Sequence, residues 1–319
     1  MNLGCRSAAC RGPKPHDQRT RRGLLAALAS AAVMAGCGTP SPAASSVPSV
    51  VPTVAASASA SALLPASASA SASASASASA SLSPTARWRP KVGQTWQWQL
   101  SGALDRGVDA EVYDVDLFTT TAAEVADLHK AGRKVICYLN AGAYEDFRPD
   151  AQRYPDAVLG EELDGWPGER WLDIRQWDTL RPILAARVDM CRDKGFDGVE
   201  PDNTDGYAND TGFPLTAADQ LTFNRRIAGL AHDAGLAVGL KNDVEQASAL
   251  EPAFDFAVNE ECARYAECHR LAVFPRNGKP VFHVEYDLPL DRFCPVTGPL
   301  RFSSLAKRLE LDAWRQPCP

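Results

Sequence analysis

The chain predicts an α/β fold, a (β/α)8 TIM barrel, preceded by a signal peptide and a disordered Ser/Ala linker. Three observations predict it. From residue 95 onward, apolar segments of strand length alternate with amphipathic segments of helix length, the pattern of a parallel sheet covered by helices. Eight strand candidates are enough to close a barrel, and no glycine-rich phosphate loop follows any of them, which argues against a nucleotide fold. Two strands, at 198–205 (Gly-Val-Glu-Pro-Asp-Asn-Thr-Asp) and 258–262 (Val-Asn-Glu-Glu-Cys), stop at clusters of carboxylates. Barrel enzymes mount their reactive groups at such C-terminal strand ends.

Residues 1–36 read as an export signal. The twin arginine Arg21-Arg22 leads into an apolar run to Ala35 that is too short to stay in a bilayer. Met34-Ala35-Gly36-Cys37 is a lipobox pattern, which places cleavage before Cys37 and lipid on its thiol; Cys5 and Cys10 leave with the leader. Residues 37–87 are almost wholly Ser, Ala and Pro. Such a segment buries too little apolar surface to offset the entropy of ordering it and acts as a tether. The expected location is therefore the bacterial cell envelope or surface, with membrane attachment only through the lipid, or the medium if Cys37 stays unmodified.

The folded unit is expected over residues 88–319, roughly 230 residues, at the small end for one barrel and read as a monomer. The leader carries six Arg/Lys against Asp17 and residues 37–86 carry no charge, so the net −6 of the chain becomes −11 over residues 87–319. An acidic domain repels nucleic acid and attracts cationic ligands. Six cysteines remain in it: Cys137, Cys191, Cys262, Cys268, Cys294 and Cys318. In an oxidising compartment they are disulfide candidates. Cys262 with Cys268 closes a small loop, Cys294 with Cys318 clamps the C-terminus, and Cys137 and Cys191 either pair or stay as buried thiols. Without a CxxC or paired-histidine spacing, zinc is not expected.

In order, strands are read at 95–100, 111–116 and 134–139, with a helix at 121–131 stopped by Gly132. A longer excursion holds Tyr154-Pro155 and the run 171–175. A helix at 179–193 feeds the strand 198–200, a helix at 217–234 feeds 237–240, and a short helix at 244–250 precedes 254–258. Strands at 279–286 and 309–314 complete the eight.

Each strand ends in polar or aromatic groups: Trp98; Asp114 and Asp116; Tyr138 and Asn140; Glu200, Asp202, Asn203 and Asp205; Lys241 and Asn242; Asn259, Glu260 and Glu261; Glu285 and Asp287. Asp205 or Asp243 alone reads as a helix cap or turn residue. The whole set does not, because caps require neither aromatics nor a lysine. The run Pro201-Asp-Asn-Thr-Asp-Gly206 is not a calcium loop, since Pro201 and Gly212 occupy the positions of essential carboxylates. Neither a metal nor a cofactor is expected.

These segments carry a family resemblance. Phe196-Asp-Gly-Val-Glu-Pro-Asp-Asn-Thr-Asp-Gly206, Asn259-Glu-Glu-Cys262 with Tyr265 and Cys268, and Leu311-Asp-Ala-Trp314 resemble glycoside hydrolase family 114, the endo-α-1,4-polygalactosaminidases. Gln97-Trp98-Gln99-Leu100, Tyr113-Asp-Val-Asp116, Val135-Ile-Cys-Tyr138 and Trp171-Leu-Asp-Ile174 follow the same family order. The resemblance implies a barrel that cleaves α-1,4-linked galactosamine in cationic polysaccharide, with Asp202 as nucleophile and Glu260 as acid/base. Glycosidic cleavage needs two such carboxyl groups. Burial or a neighbouring carboxylate is expected to raise the Glu260 pKa. Strand alternation puts Glu200 on the face of Asp202 and Glu261 opposite Glu260, so one of the two adjacent glutamates reaches the cleft; local spacing alone leaves Glu261 open. Trp98, Tyr138 and Trp171 are expected to stack on sugar rings, Asp116, Asp173 and Asp205 to bind ammonium groups, Asn203 to assist substrate binding, and Lys241 to keep Asp202 ionised. The alternatives are a catalytically silent carbohydrate-binding barrel, or a hydrolase of another α-galactoside-type glycan.

Overall fold

The computed structural model describes residues 87–319; the leader, Cys37 and the linker to residue 86 lie outside the described residues. The chain enters through β1 (Trp96–Gln99) and β2 (Val112–Asp116). Helix α1 (Ala122–Lys130) begins at a capping box in which Thr121 and Glu124 satisfy each other's backbone amides, and Gly132, at φ 78°, follows its end. After β3 (Lys134–Asn140) come β4 (Ala143–Glu145), β5 (Leu159–Glu162) and β6 (Glu169–Leu172). The remaining elements are α2 (Trp177–Lys194), β7 (Gly198–Asp202), α3 (Ala217–Asp233), β8 (Ala237–Lys241), α4 (Ala247–Leu250), β9 (Phe256–Glu260), α5 (Val273–Arg276), β10 (Val281–Glu285), α6 (Leu290–Thr297), β11 (Ser303–Ala306) and β12 (Gln316–Pro317).

Eight strands pair in parallel in the order β1-β2-β3-β7-β8-β9-β10-β11, and β12 adds antiparallel to β11. The sheet curls until its ends meet. There the Trp96 indole donates to Ser303 O (2.9 Å) and the Ser303 hydroxyl donates to Gln94 O (2.7 Å). The C-terminal segment reinforces this seam, with Leu311 O accepting from Leu100 N (2.9 Å) and Ala313 O from the Gln97 amide (2.8 Å). Trp96, Trp98, Val112, Ile136, Ala237, Phe256, Val258, Phe282, Val284 and Leu305 form one interior cluster. These are alternate residues on their strands, so the intervening ones face the helices, as the barrel reading requires. Gly239 leaves space for a ring of that cluster: a Cβ there would lie 2.3 Å from Phe256.

Two expectations change. Residues 309–314 alternate apolar and polar like a strand, but the eighth strand is β11; Leu311 is left-handed at φ 47° and the Lys307 ammonium takes the carbonyls of Asp312 and Trp314 (2.7 and 2.6 Å). The excursion after β3 is a separate antiparallel sheet, β4-β6-β5, whose strands of three and four residues are too short to show a period in sequence. All six cysteines pair: Cys137–Cys191 ties β3 to α2, Cys262–Cys268 closes the loop after β9, and Cys294–Cys318 fastens the C-terminus to α6. Among the described residues, no helix is long and apolar enough to cross a membrane.

Candidate active site

The inward-facing residues that cap the apolar interior are polar. Asp114 on β2, Tyr138 on β3, Glu200 and Asp202 on β7, Lys241 on β8 and Glu260 on β9 gather around one ammonium. Lys241 is 2 % exposed. Its Nζ lies 2.9 Å from Asp202 Oδ1, 3.2 Å from Glu200 Oε1 and 3.3 Å from Glu260 Oε2, and 4.7 Å from the centroid of the Trp98 ring. Burial works against the ammonium, but the three carboxylates outweigh it and hold its pKa well above the ordinary lysine value. The lysine is a buried charge centre, and a loop position in solvent is excluded.

Asp202 is built to be ionised. Burial alone raises its pKa; the Lys241 ammonium, the Tyr138 hydroxyl donating to Oδ2 (2.7 Å) and Asn203 N donating to Oδ1 (2.8 Å) reverse that and hold the carboxyl below its usual range. Beneath it, Glu200 and Asp114 are fully buried side by side. Burial, the Glu200 charge and a hydrogen bond to Glu200 push Asp114 well above the carboxylate range, while burial raises Glu200 to about 7 against the pull of Lys241. Two carboxyls in this state share a proton, carried on Asp114 and donated to Glu200. No other donor reaches either Asp114 oxygen among the described residues.

Glu260 is held on both oxygens. The Tyr286 hydroxyl donates to Oε1 and the Asn242 amide to Oε2 (3.0 Å), and Asn242 Oδ1 accepts from the Glu260 backbone amide (3.0 Å). Glu261 turns away to pair with Arg264 (2.7 Å), so of the adjacent glutamates Glu260 reaches the centre. The turn is set by the backbone. Asn203, Asn242 and Glu261, which follow the last inward residues of β7, β8 and β9, sit in the left-handed region at φ 59°, 49° and 61°. Asparagine enters this region readily, whereas a glutamate there is unusual. The Asn203 carbonyl packs so closely on Gly142 that a Cβ would come within 1.7 Å of it.

Further carboxyls ring the mouth. Burial, aided by the Asp202 charge, raises Asp205 to about 6. Glu169, brought in by β6, lies 3.4 Å from the Asn140 amide and is raised to about 8 by burial and by Glu145 and Asp202. Asp243 is raised to about 8 by burial and Asp205.

The expected binding residues divide. Tyr138, Glu200, Asn203, Asp205 and Lys241 gather around Asp202. Trp98 is 1 % exposed and offers its face to Lys241 rather than to a sugar. Trp171 is buried with Ala143 and Leu163 in the core of the small sheet. Asp116 is saturated by Arg148 (2.7 Å) and by the amides of Phe118 and Thr119. Asp173 is bidentate with Arg175 (2.7 and 2.9 Å). Neither of these two aspartates is open to a ligand ammonium, because a resident guanidinium already neutralises it. Asp114, a strand-end group to which sequence assigns no role, and Tyr286, which it does not mark, both belong to the centre; both fall on the inward parity of their strands, which alternation alone could have shown. Glu169 had no sequence signal, because the small sheet had none. Cys262, Cys268 and His283 lie within 4.8 Å of one another, but the two sulfurs are bonded together and the imidazole nitrogens face Ser304 and Glu285, leaving no thiolate for a metal.

The two contacts to Lys241 keep Asp202 Oδ1 and Glu260 Oε2 no more than about 6 Å apart, short of the 6.5–9.5 Å that admits a water between two carboxyls. One ionised carboxylate and a second hydrogen-bonded carboxyl on a common cation can attack and protonate the two ends of a glycosidic bond.

The chain matches glycoside-hydrolase family GH114 over residues 77–319. The crystal structure of Aspergillus fumigatus Ega3 in complex with galactosamine is similar, at 46 % identity and TM-score 0.70, covering 73 % of this chain and 98 % of that one. The glycoside hydrolase domain of PelA from Pseudomonas aeruginosa shares the fold, at 15 % identity and TM-score 0.54, covering 70 % and 96 %. No curated protein sequence matches.

Proposed function

As the chain belongs to glycoside hydrolase family GH114, we propose that it cleaves α-1,4-linked galactosamine-containing polysaccharide, with Asp202 as nucleophile and Glu260 as acid/base. The observation that carries this reading is the convergence of both carboxyls on Lys241 at one barrel mouth. The galactosamine complex of Ega3 and the −11 charge of residues 87–319 support the cationic substrate.

In the first step Asp202 attacks the anomeric carbon while Glu260 gives its proton to the departing oxygen. In the second, Glu260 takes a proton from water, which displaces the sugar from Asp202, so the α configuration is retained. Lys241 and Tyr138 keep Asp202 charged until it attacks. When esterification removes that charge, Glu200 and Glu260 still neutralise the ammonium. Tyr286 and Asn242 orient Glu260, and Asp205, ionised above a pH of about 6, supplies negative charge for the substrate ammonium. We further place the protein outside the cytoplasm as a monomer tethered through Cys37; three disulfides suit that oxidising location.

The test is oligosaccharide release from partly deacetylated α-1,4-galactosamine polymer. The parent should release oligosaccharides, and Asp202→Asn and Glu260→Gln should each be at least ~100-fold slower while folded. A folded parent that binds the polymer without cutting it would make the protein a carbohydrate-binding barrel.

A further inference from the structure

Beside Glu260 the barrel mouth opens into a cleft of about 580 Å3 between the turn after β10 and the C-terminal segment, within the size range of ligand sites. Tyr286 lines it and also donates its hydroxyl to Glu260, so a single side chain separates the cleft from the acid/base. Another wall is Trp314, 38 % exposed. Its backbone is held, the amide donating to Asp312 (3.0 Å) and the carbonyl accepting from the buried Lys307 (2.6 Å), and Arg308, paired to Asp312 (2.8 Å), lies over one face of the ring at 5.0 Å from its centroid. The remaining lining is mostly apolar or neutral and carries two carboxylates, Asp291 and Asp287, the latter paired through Oδ2 with Arg264.

We propose that this cleft binds the galactosamine units on the leaving-group side of the cut, with Trp314 as the stacking platform and Asp291 receiving an ammonium group. The inference rests on the assignment of Glu260, because the group that protonates the departing oxygen must border the leaving-group site. An exposed aromatic face suits the apolar side of a sugar ring, and an unpaired carboxylate beside it suits a cationic chain. Binding there commits the enzyme to polymer rather than to short fragments.

The experiment uses the intact protein and has two arms. In the kinetic arm, Trp314→Ala should raise KM for the polymer about tenfold with kcat within a factor of two, and lengthen the minimum substrate cut; Trp314→Phe should keep KM within about threefold. In the chemical arm, oxidation of Trp314 by N-bromosuccinimide in the wild-type protein, read by peptide mass mapping, should slow at least threefold when galactosamine oligomers are present. Unchanged KM in folded Trp314→Ala, or equal oxidation with and without oligomers, overturns the cleft. If the wild type cuts nothing yet Trp314 is protected, the hydrolase reading fails and the binding cleft stands.

Discussion

The Lys241 ammonium lies 2.9 Å from the Asp202 carboxylate with almost no solvent around it, and this one contact sets the charge state in which the strand end waits. Removing it as Lys241→Met leaves Asp202, Glu200 and Glu260 without their common cation. The Asp202 pKa then rises, so the acid limb of the kcat/KM profile should move to higher pH by at least one unit, and activity at pH 5 should fall at least ~100-fold. An acid limb that stays in place in the folded variant would separate Lys241 from the ionisation of Asp202.

Glu169, Asp243, Glu200 and Asp205 have folded-state pKa values of about 8, 8, 7 and 6, all raised above the ordinary carboxyl range by burial. Each contributes stability that is fully present below the unfolded value near 4 and is lost as pH rises through the folded value. The melting temperature should therefore fall steadily from pH 5 to pH 8.5. Asp114→Asn supplies a permanent N–H to Glu200 in place of the shared proton, so its melting curve should be flatter across that window. A wild-type melting temperature that rises toward pH 8.5 would contradict these assignments.

Glu260 and Glu261 are neighbours with opposite fates. Glu261→Gln loses a partly exposed pair with Arg264, so stability should drop by about 0.2–1 kcal/mol and turnover should stay within about fivefold of wild type, in contrast to Glu260→Gln. Equal loss of activity in the two variants would reverse the assignment.

Gly142→Ala forces a Cβ into the Asn203 carbonyl, and only a shift of the β7 end relieves it. We expect a loss of about 3 kcal/mol or more in unfolding free energy and a drop in kcat, because Asn203 N holds Asp202. A variant with normal denaturation and normal kcat would show that the loop yields freely.

Alternation made most of the barrel legible. The strands ending at Asp116, Asn140, Asp202, Lys241 and Glu260 all lie where apolar runs stop at polar groups, and the capping box at Thr121 and the glycines at 132 and 235 mark helix ends. The same parity separates Glu260 from Glu261. What sequence could not show depends on distant partners. Asp116 and Asp173 look like ligand groups until Arg148 and Arg175 fold against them, and Trp98 looks like a platform until Lys241 covers it. Leu309 to Trp314 has the periodicity of a last strand, but its Asp312 and Trp314 carbonyls go to the Lys307 ammonium and not to a ladder.

Strand β1 is laddered to β2 on one flank, but on the other it depends on the Trp96 and Ser303 side chains and on the strap at Leu311 to Ala313. The Cys294–Cys318 bond secures that strap from beyond its far end. Tension on the chain where it enters the barrel is thus resisted by the last residues of the sequence. The two termini of the folded unit work as one buckle, and opening the disulfide should let a pull at residue 87 peel β1 away before any other strand yields.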